Sequence, residues 1–135
     1  MNTKPILFTV FLISILFSCQ PAASSEEQDK TGMVKVTIMY GNGADKSFDM
    51  EYYENKHMPM LAELFGDAMK TYEIDKGLRG RTPEEPIPFL AIGYLYFNTL
   101  SDYEKAFGAN AETILNDIPN YTNIQPIVQI SSVIK

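Results

Sequence analysis

Hydrophobic and polar positions alternate along this chain with two different periods, and the change-overs between them mark its elements. From Met33 the run VKVTIMY sets Val34, Val36, Ile38 and Tyr40 on one side and Lys35, Thr37 and Met39 on the other, the period of a half-buried strand. Gly41-Asn42-Gly43 closes it, because glycine and asparagine tolerate the positive φ of a tight turn. Over Ser47–Gly66, SFDMEYYENKHMPMLAELFG, the period becomes helical, and Tyr53, His57, Met60, Leu61 and Leu64 share one stripe. Ser47 is the expected N-cap, with Asp49 and Glu51 in the first turn, where the helix dipole favours acids. Met69–Lys76 returns to alternation, with Tyr72 and Ile74 opposite Thr71, Glu73 and Asp75, so this strand has a polar solvent side. Gly77–Pro88 holds three prolines and two glycines and reads as a loop.

Phe89–Phe97, FLAIGYLYF, is a third strand and differs from the others in being apolar on both faces. Phe89, Ala91, Leu95 and Phe97 lie on one, Leu90, Ile92, Tyr94 and Tyr96 on the other. Ser101-Asp102-Tyr103-Glu104 fits a capping box, opening a helix whose stripe is Tyr103, Phe107, Ala111, Ile114 and Ile118 and which ends before Pro119. Asn123–Lys135 is the last strand, with Pro126 at its start or on an edge. Strand, helix, strand, strand, helix, strand is the α+β, ferredoxin-like βαββαβ pattern with a four-stranded antiparallel sheet. Two helices cover only one sheet face. The apolar second face of Phe89–Phe97 therefore predicts a homodimer.

Composition adds limits. With 45% hydrophobic and 21% charged residues, the 135-residue chain is globular and long enough for one domain, which excludes disorder of the whole. Lys4 is the only charged residue among the first eighteen, so the remainder carries ten basic against seventeen acidic residues, a formal charge of −7. Such a surface repels phosphate backbones, and no basic stripe is present, which argues against nucleic-acid binding.

Residues 1–18 read as a signal peptide, with Lys4 in the positive segment and an apolar run over Ile6–Phe17 too short for a comfortable membrane span. The run ends in Leu16-Phe17-Ser18-Cys19, which resembles the bacterial lipobox and implies lipidation of Cys19, the only cysteine. That places the protein in the bacterial cell envelope as a membrane-anchored lipoprotein, on the periplasmic side or the surface. The other reading is an ordinary secreted protein with one free thiol. Residues 19–32 then form the lipidated start and a flexible polar tether, and residues 33–135 the folded domain.

His57 is the only histidine, and it lies on an apolar stripe two residues before Pro59. Pro59 has no N–H for the carbonyl of Asn55 and disfavours α geometry at Met58, so the helix is expected to kink or restart just after His57, leaving carbonyls to which the imidazole can donate. A core histidine with one backbone partner fits the same pattern.

Phe48…Tyr52-Tyr53…His57-Met58-Pro59, followed about sixty residues later by Asp117-Ile118-Pro119-Asn120-Tyr121-Thr122-Asn123-Ile124-Gln125-Pro126, resembles the EthD family, in particular its short members labelled EthD family reductases. The resemblance covers essentially all of residues 33–134. It implies a dimeric α+β barrel, in which two ferredoxin-like protomers pack sheet against sheet and cover the free face. It also implies a link to ether degradation, since the family is named from a cluster in which it accompanies a cytochrome monooxygenase system.

One histidine and an acylated cysteine cannot assemble a His/Cys metal site, and no phosphate-binding glycine loop is present. No cofactor is predicted; a haem on His57 is the alternative, because some dimeric α+β barrel proteins are haem enzymes. What remains is a barrel cavity for a small hydrophobic, aromatic or carbonyl compound, with His57 as general acid or base and a tyrosine as oxyanion stabiliser. Tyr52 and Tyr53 project about 100° apart on a helix, and the spacing favours Tyr53 as the catalytic partner of His57. Tyr52, Tyr72, Tyr94, Tyr96 and Asn123 are the candidate substrate-binding residues, with dimer packing as the plainer role for Tyr72, Tyr94 and Tyr96. Asp117 and Asn120 read as the helix exit turn. Two functions stand: a cofactor-light enzyme of the oxidoreductase, lyase or isomerase kind, and a lipid-anchored binding module or accessory to an oxygenase system.

Overall fold

The computed structural model of the chain describes residues 29–135. The expected signal peptide, Cys19 and most of the expected tether lie outside the described residues. Strand β1, Val34–Gly41, is central; it pairs antiparallel with β3, Phe89–Phe97, on one side and with β4, Ile127–Ser132, on the other. Strand β2, Met69–Lys76, pairs antiparallel with β3, giving the order β2-β3-β1-β4. This is the ferredoxin-like α+β architecture. Short helix α1, Met50–Tyr52, a π-helical turn, Tyr53–His57, and helix α2, Met58–Phe65, make the first crossing, and helix α3, Leu100–Asp117, makes the second.

Strands β2 and β3 occupy the residues their alternation predicts, but both helix starts differ. Asp49, not Ser47, caps α1, its carboxylate accepting from the Tyr52 N–H at 3.0 Å. Ser47 is held extended instead: its N–H donates to Asn123 Oδ1, its carbonyl accepts from Thr122 Oγ1, and Phe48 bridges to Thr122. Helix α3 is capped by Thr99, whose Oγ1 accepts from the Asp102 N–H, so it begins before the Ser101 capping box. The last strand is shorter than the pattern predicts: Asn123 is tied to Ser47 and Asp45, and pairing with β1 begins only at Ile127. Lys30 already joins the domain, pairing with Glu73 and lying over the Tyr96 ring at 4.5 Å.

The core lies between the sheet and the helices. Val36, Tyr40, Leu95 and Phe97 from the sheet meet Tyr53, Met58, Leu61 and Phe65 from the first crossing. Gly66, at φ +48°, ends α2 in a conformation that glycine adopts cheaply.

Candidate functional site

Pro59 is the local cause of the site's geometry. It cannot donate to Asn55, and the chain answers with a π turn in which the Met58 N–H donates to the carbonyl of Tyr53, five residues back. The restart just after His57 is therefore present, as a widened turn rather than a sharp kink. His57 faces the core and is 2% exposed.

Its partner is not a backbone carbonyl. His57 Nδ1 lies 2.7 Å from Asp117 Oδ2, at the end of α3. A carboxylate outcompetes a carbonyl as acceptor because its hydrogen bond is charge-assisted. The same carboxylate accepts from Tyr52 Oη at 2.8 Å and from Asn120 Nδ2 at 2.9 Å. Three donors from three segments thus converge on Asp117. Burial pushes its carboxyl up, but hydrogen bonds from His57, Asn120 and Tyr52 outweigh burial and hold it below the usual carboxylate range. Burial pushes His57 down more than Asp117 pulls it up, so the imidazole is neutral at neutral pH, with its proton on Nδ1 and its lone pair on Nε2.

That lone pair faces Tyr121 Oη at 3.3 Å, and Tyr121 Oη lies 2.7 Å from Tyr40 Oη. The rings pack closely: His57 against Tyr121 at 4.6 Å, and His57 stacked on Tyr53 at 5.5 Å with 18° between planes. Burial drives the hydroxyls of Tyr40 and Tyr121 far above the ordinary tyrosine range, so both are neutral donors.

A cavity of about 110 Å³ lies between sheet and helices, and its polar end is formed by Tyr40 and His57. Val36, Ile38, Leu61, Phe65 and Leu95 line its walls, together with Leu115, Ile118, Pro126 and Val128.

 Tyr103 and Phe107 of α3 also line the cavity. The space lies inside the protomer, between helices and sheet, rather than between two sheets as the barrel picture expects.

The other sequence candidates fall in different places. The Tyr53 ring supports the imidazole, but its hydroxyl is buried over Gly93 without a hydrogen-bond partner; a Cβ at Gly93 would stand 2.2 Å from it. Tyr52 reaches the site from the outside, through Asp117. Tyr72 pairs with Leu95 and packs beside the core on the helix side, away from His57. Tyr94 and Tyr96 are not brought to His57: they alternate with Leu95 and lie on the opposite sheet face, donating to Asp75 and Glu73 on the neighbouring strand. Burial first, then Asp75, pushes Tyr94 up to about 12. Asn123 secures the segment before α1, accepting from the Ser47 N–H and donating to the Asp45 carbonyl, and lies on a shallow polar cleft outside the cavity. Asp117, Tyr121 and Tyr40 complete the site although spacing alone does not select them. Asp117 and Tyr121 do stand in the second of the two stretches that carry the family resemblance.

The residues do not fit a haem. A cavity of about 110 Å³ is far below the size of a porphyrin. Among the described residues, no group of three or more His, Cys, Asp or Glu side chains is placed to hold a metal ion.

The EthD domain model matches residues 42–125, which include both His57 and Asp117. The chain belongs to the EthD family. An EthD-like protein from Ralstonia eutropha JMP134 is 36% identical to it, with a TM-score of 0.74 over 78% of this chain and 95% of that one. An EthD family protein from Bacillus halodurans C-125 is 16% identical, with a TM-score of 0.52 over 74% of this chain and 97% of that one, and is alike in fold. No curated protein matches the sequence.

Proposed function

We propose that this EthD protein binds a small, mainly apolar compound with one carbonyl or phenolic oxygen and acts on it by general acid–base catalysis through His57, without a cofactor. The observation that carries this reading is the Asp117–His57 pair, with His57 set on a mainly apolar cavity. A carboxylate on Nδ1 fixes the tautomer and stabilises the imidazolium formed when Nε2 takes a proton, as in hydrolase triads. About 110 Å³ limits the ligand to about a single ring, since it is smaller than an engineered cavity of about 150 Å³ that admits benzene. Tyr40 replaces Tyr53 as the group that meets the ligand oxygen, because Tyr40 lines the cavity.

The test uses cyclohexanone, one ring with one carbonyl. In D2O the purified protein is expected to accelerate exchange of the hydrogens beside the carbonyl, followed by proton NMR, and His57→Gln is expected to lose that acceleration by about 10²–10⁴ while still binding the ketone. Binding without any exchange above buffer, in both proteins, favours the non-catalytic binding module.

The same reading includes a homodimer and a lipid anchor. Ile127, on the outer face of the edge strand β4, is 59% exposed, and it continues an apolar row through Met39 to Ile92. A second protomer covering that row gives the α+β barrel. Acylation at Cys19 would hold this dimer to the membrane of the cell envelope, with the polar residues after it as tether.

A further inference from the structure

Two groups line the polar end of the cavity, His57 and Tyr40, and behind them a third, Tyr121, touches both. Tyr121 does not line the cavity; it lines the polar cleft outside. Its hydroxyl is 3.3 Å from His57 Nε2 and 2.7 Å from Tyr40 Oη, so one oxygen joins two residues that line the cavity. A relay that begins and ends in the same cavity has a specific use. It moves a proton from one atom of a bound molecule to another atom of the same molecule.

We infer that Tyr40, Tyr121 and His57 form a closed proton circuit around the end of the cavity, and that its ligands are enolisable carbonyl compounds that the circuit interconverts with their enols. The inference rests on the acid–base reading of His57 above. The bonds balance within the ligand and three side chains. His57 Nε2 takes the proton from the carbon beside the carbonyl as that C–H bond breaks and its electron pair forms the C=C bond. Tyr40 gives its hydroxyl proton to the carbonyl oxygen, Tyr121 gives its own to Tyr40, and the proton on Nε2 passes to Tyr121. Every side chain ends as it began, the ketone has become its enol, and nothing is oxidised or reduced.

The surroundings favour a circuit over a base working alone. A lone base would leave an enolate and an imidazolium separated among Val36, Leu61 and Leu95, and a charge in an apolar setting is costly. Return of the proton through Tyr121 and Tyr40 leaves no net charge on the ligand. Three neutral hydrogen-bonding groups in series are suited to this, since each hydroxyl can both donate and accept.

The decisive variant is Tyr121→Phe, which cuts the circuit without touching the cavity wall. With cyclohexanone in D2O, exchange is expected to fall at least tenfold in Tyr121→Phe, with the ketone's dissociation constant changed less than threefold by calorimetry. Adding Tyr121→Phe to His57→Gln is expected to cost little more than His57→Gln alone, because groups acting as a unit are non-additive. Wild-type exchange in Tyr121→Phe together with its loss in His57→Gln would overturn the circuit and leave His57 acting alone. Wild-type exchange in both variants would overturn the acid–base reading and the circuit with it. If Tyr121→Phe melts before it can be assayed, Tyr40→Phe opens the circuit at its other end, and unchanged exchange in that variant would also overturn it.

Discussion

His57 Nδ1 and Asp117 Oδ2 meet at 2.7 Å across sixty residues of sequence, joining the π turn of the first crossing to the end of the second. The contact makes the imidazole a base of defined tautomer rather than a core residue with a spare lone pair. Asp117→Asn keeps the shape of the side chain and removes its charge. An asparagine amide in the same place can present N–H to Nδ1 and drive the proton to Nε2, where it no longer accepts. The expected loss of ketone exchange is about 10²–10⁴, with the fold retained by circular dichroism. Unchanged exchange would show that the carboxylate does not set the tautomer.

Acid should weaken the domain through the same pair. The folded state holds His57 below its ordinary value, so between the unfolded value near 6.5 and the lower folded one the unfolded chain binds more protons, and stability falls as pH falls through that window. Asp117, also held low, contributes stability that is present above its unfolded value of 3.8 and lost on further acidification. Melting temperatures measured from pH 8 to about 5 should therefore decline in the wild type and decline less in His57→Gln. An equal decline in both would assign the acid sensitivity elsewhere.

Strands Met69–Lys76 and Phe89–Phe97 were legible to the residue because period-two alternation there is bounded by turn residues on both sides. The caps at Asp49 and Thr99 were not, because Ser47 is claimed by Asn123 and Thr122 from a distant segment, which no local pattern records. His57 was legible as the one titratable group on an apolar stripe. Asp117 reads as a turn residue because a carboxylate at a helix end has an ordinary local use, and its partner is tertiary. Tyr94 and Tyr96 looked like cavity aromatics because alternation fixes which residues share a face but not which face meets the helices. Their hydroxyls find Asp75 and Glu73 on β2, which makes that face more polar than its sequence suggests.

Gly93 and Tyr53 give a packing test that is separate from chemistry. Gly93→Ala places a Cβ where the Tyr53 hydroxyl lies, and the ring has little room to retreat because it is fully buried. The expected cost is about 1–3 kcal/mol, the range for overpacking a core. Tyr53→Phe removes a buried hydroxyl that has no partner, and it is expected to be neutral or stabilising, by up to about 1–3 kcal/mol. The two changes share one contact, so their combination should recover part of the Gly93→Ala loss in denaturant titration. Strict additivity would mean that the hydroxyl is not what the new methyl group meets.

The outer face of the sheet supplies the last prediction. Ile127, Met39 and Ile92 lie in one row across β4, β1 and β3, and Ile127 sits at the exposed end of it. An apolar row on a sheet face that no helix among the described residues covers is satisfied most simply by the same row on a second protomer, related by a two-fold axis. Light scattering at micromolar concentration should therefore give a dimer for the wild type. Ile92→Glu and Ile127→Lys each place a charge in the row and should shift the mass to that of a monomer. His57 is on the other side of the sheet, so ketone binding should survive the dissociation. A wild-type monomer would leave the outer face without the proposed partner, and loss of binding on dissociation would mean that the cavity depends on the second protomer.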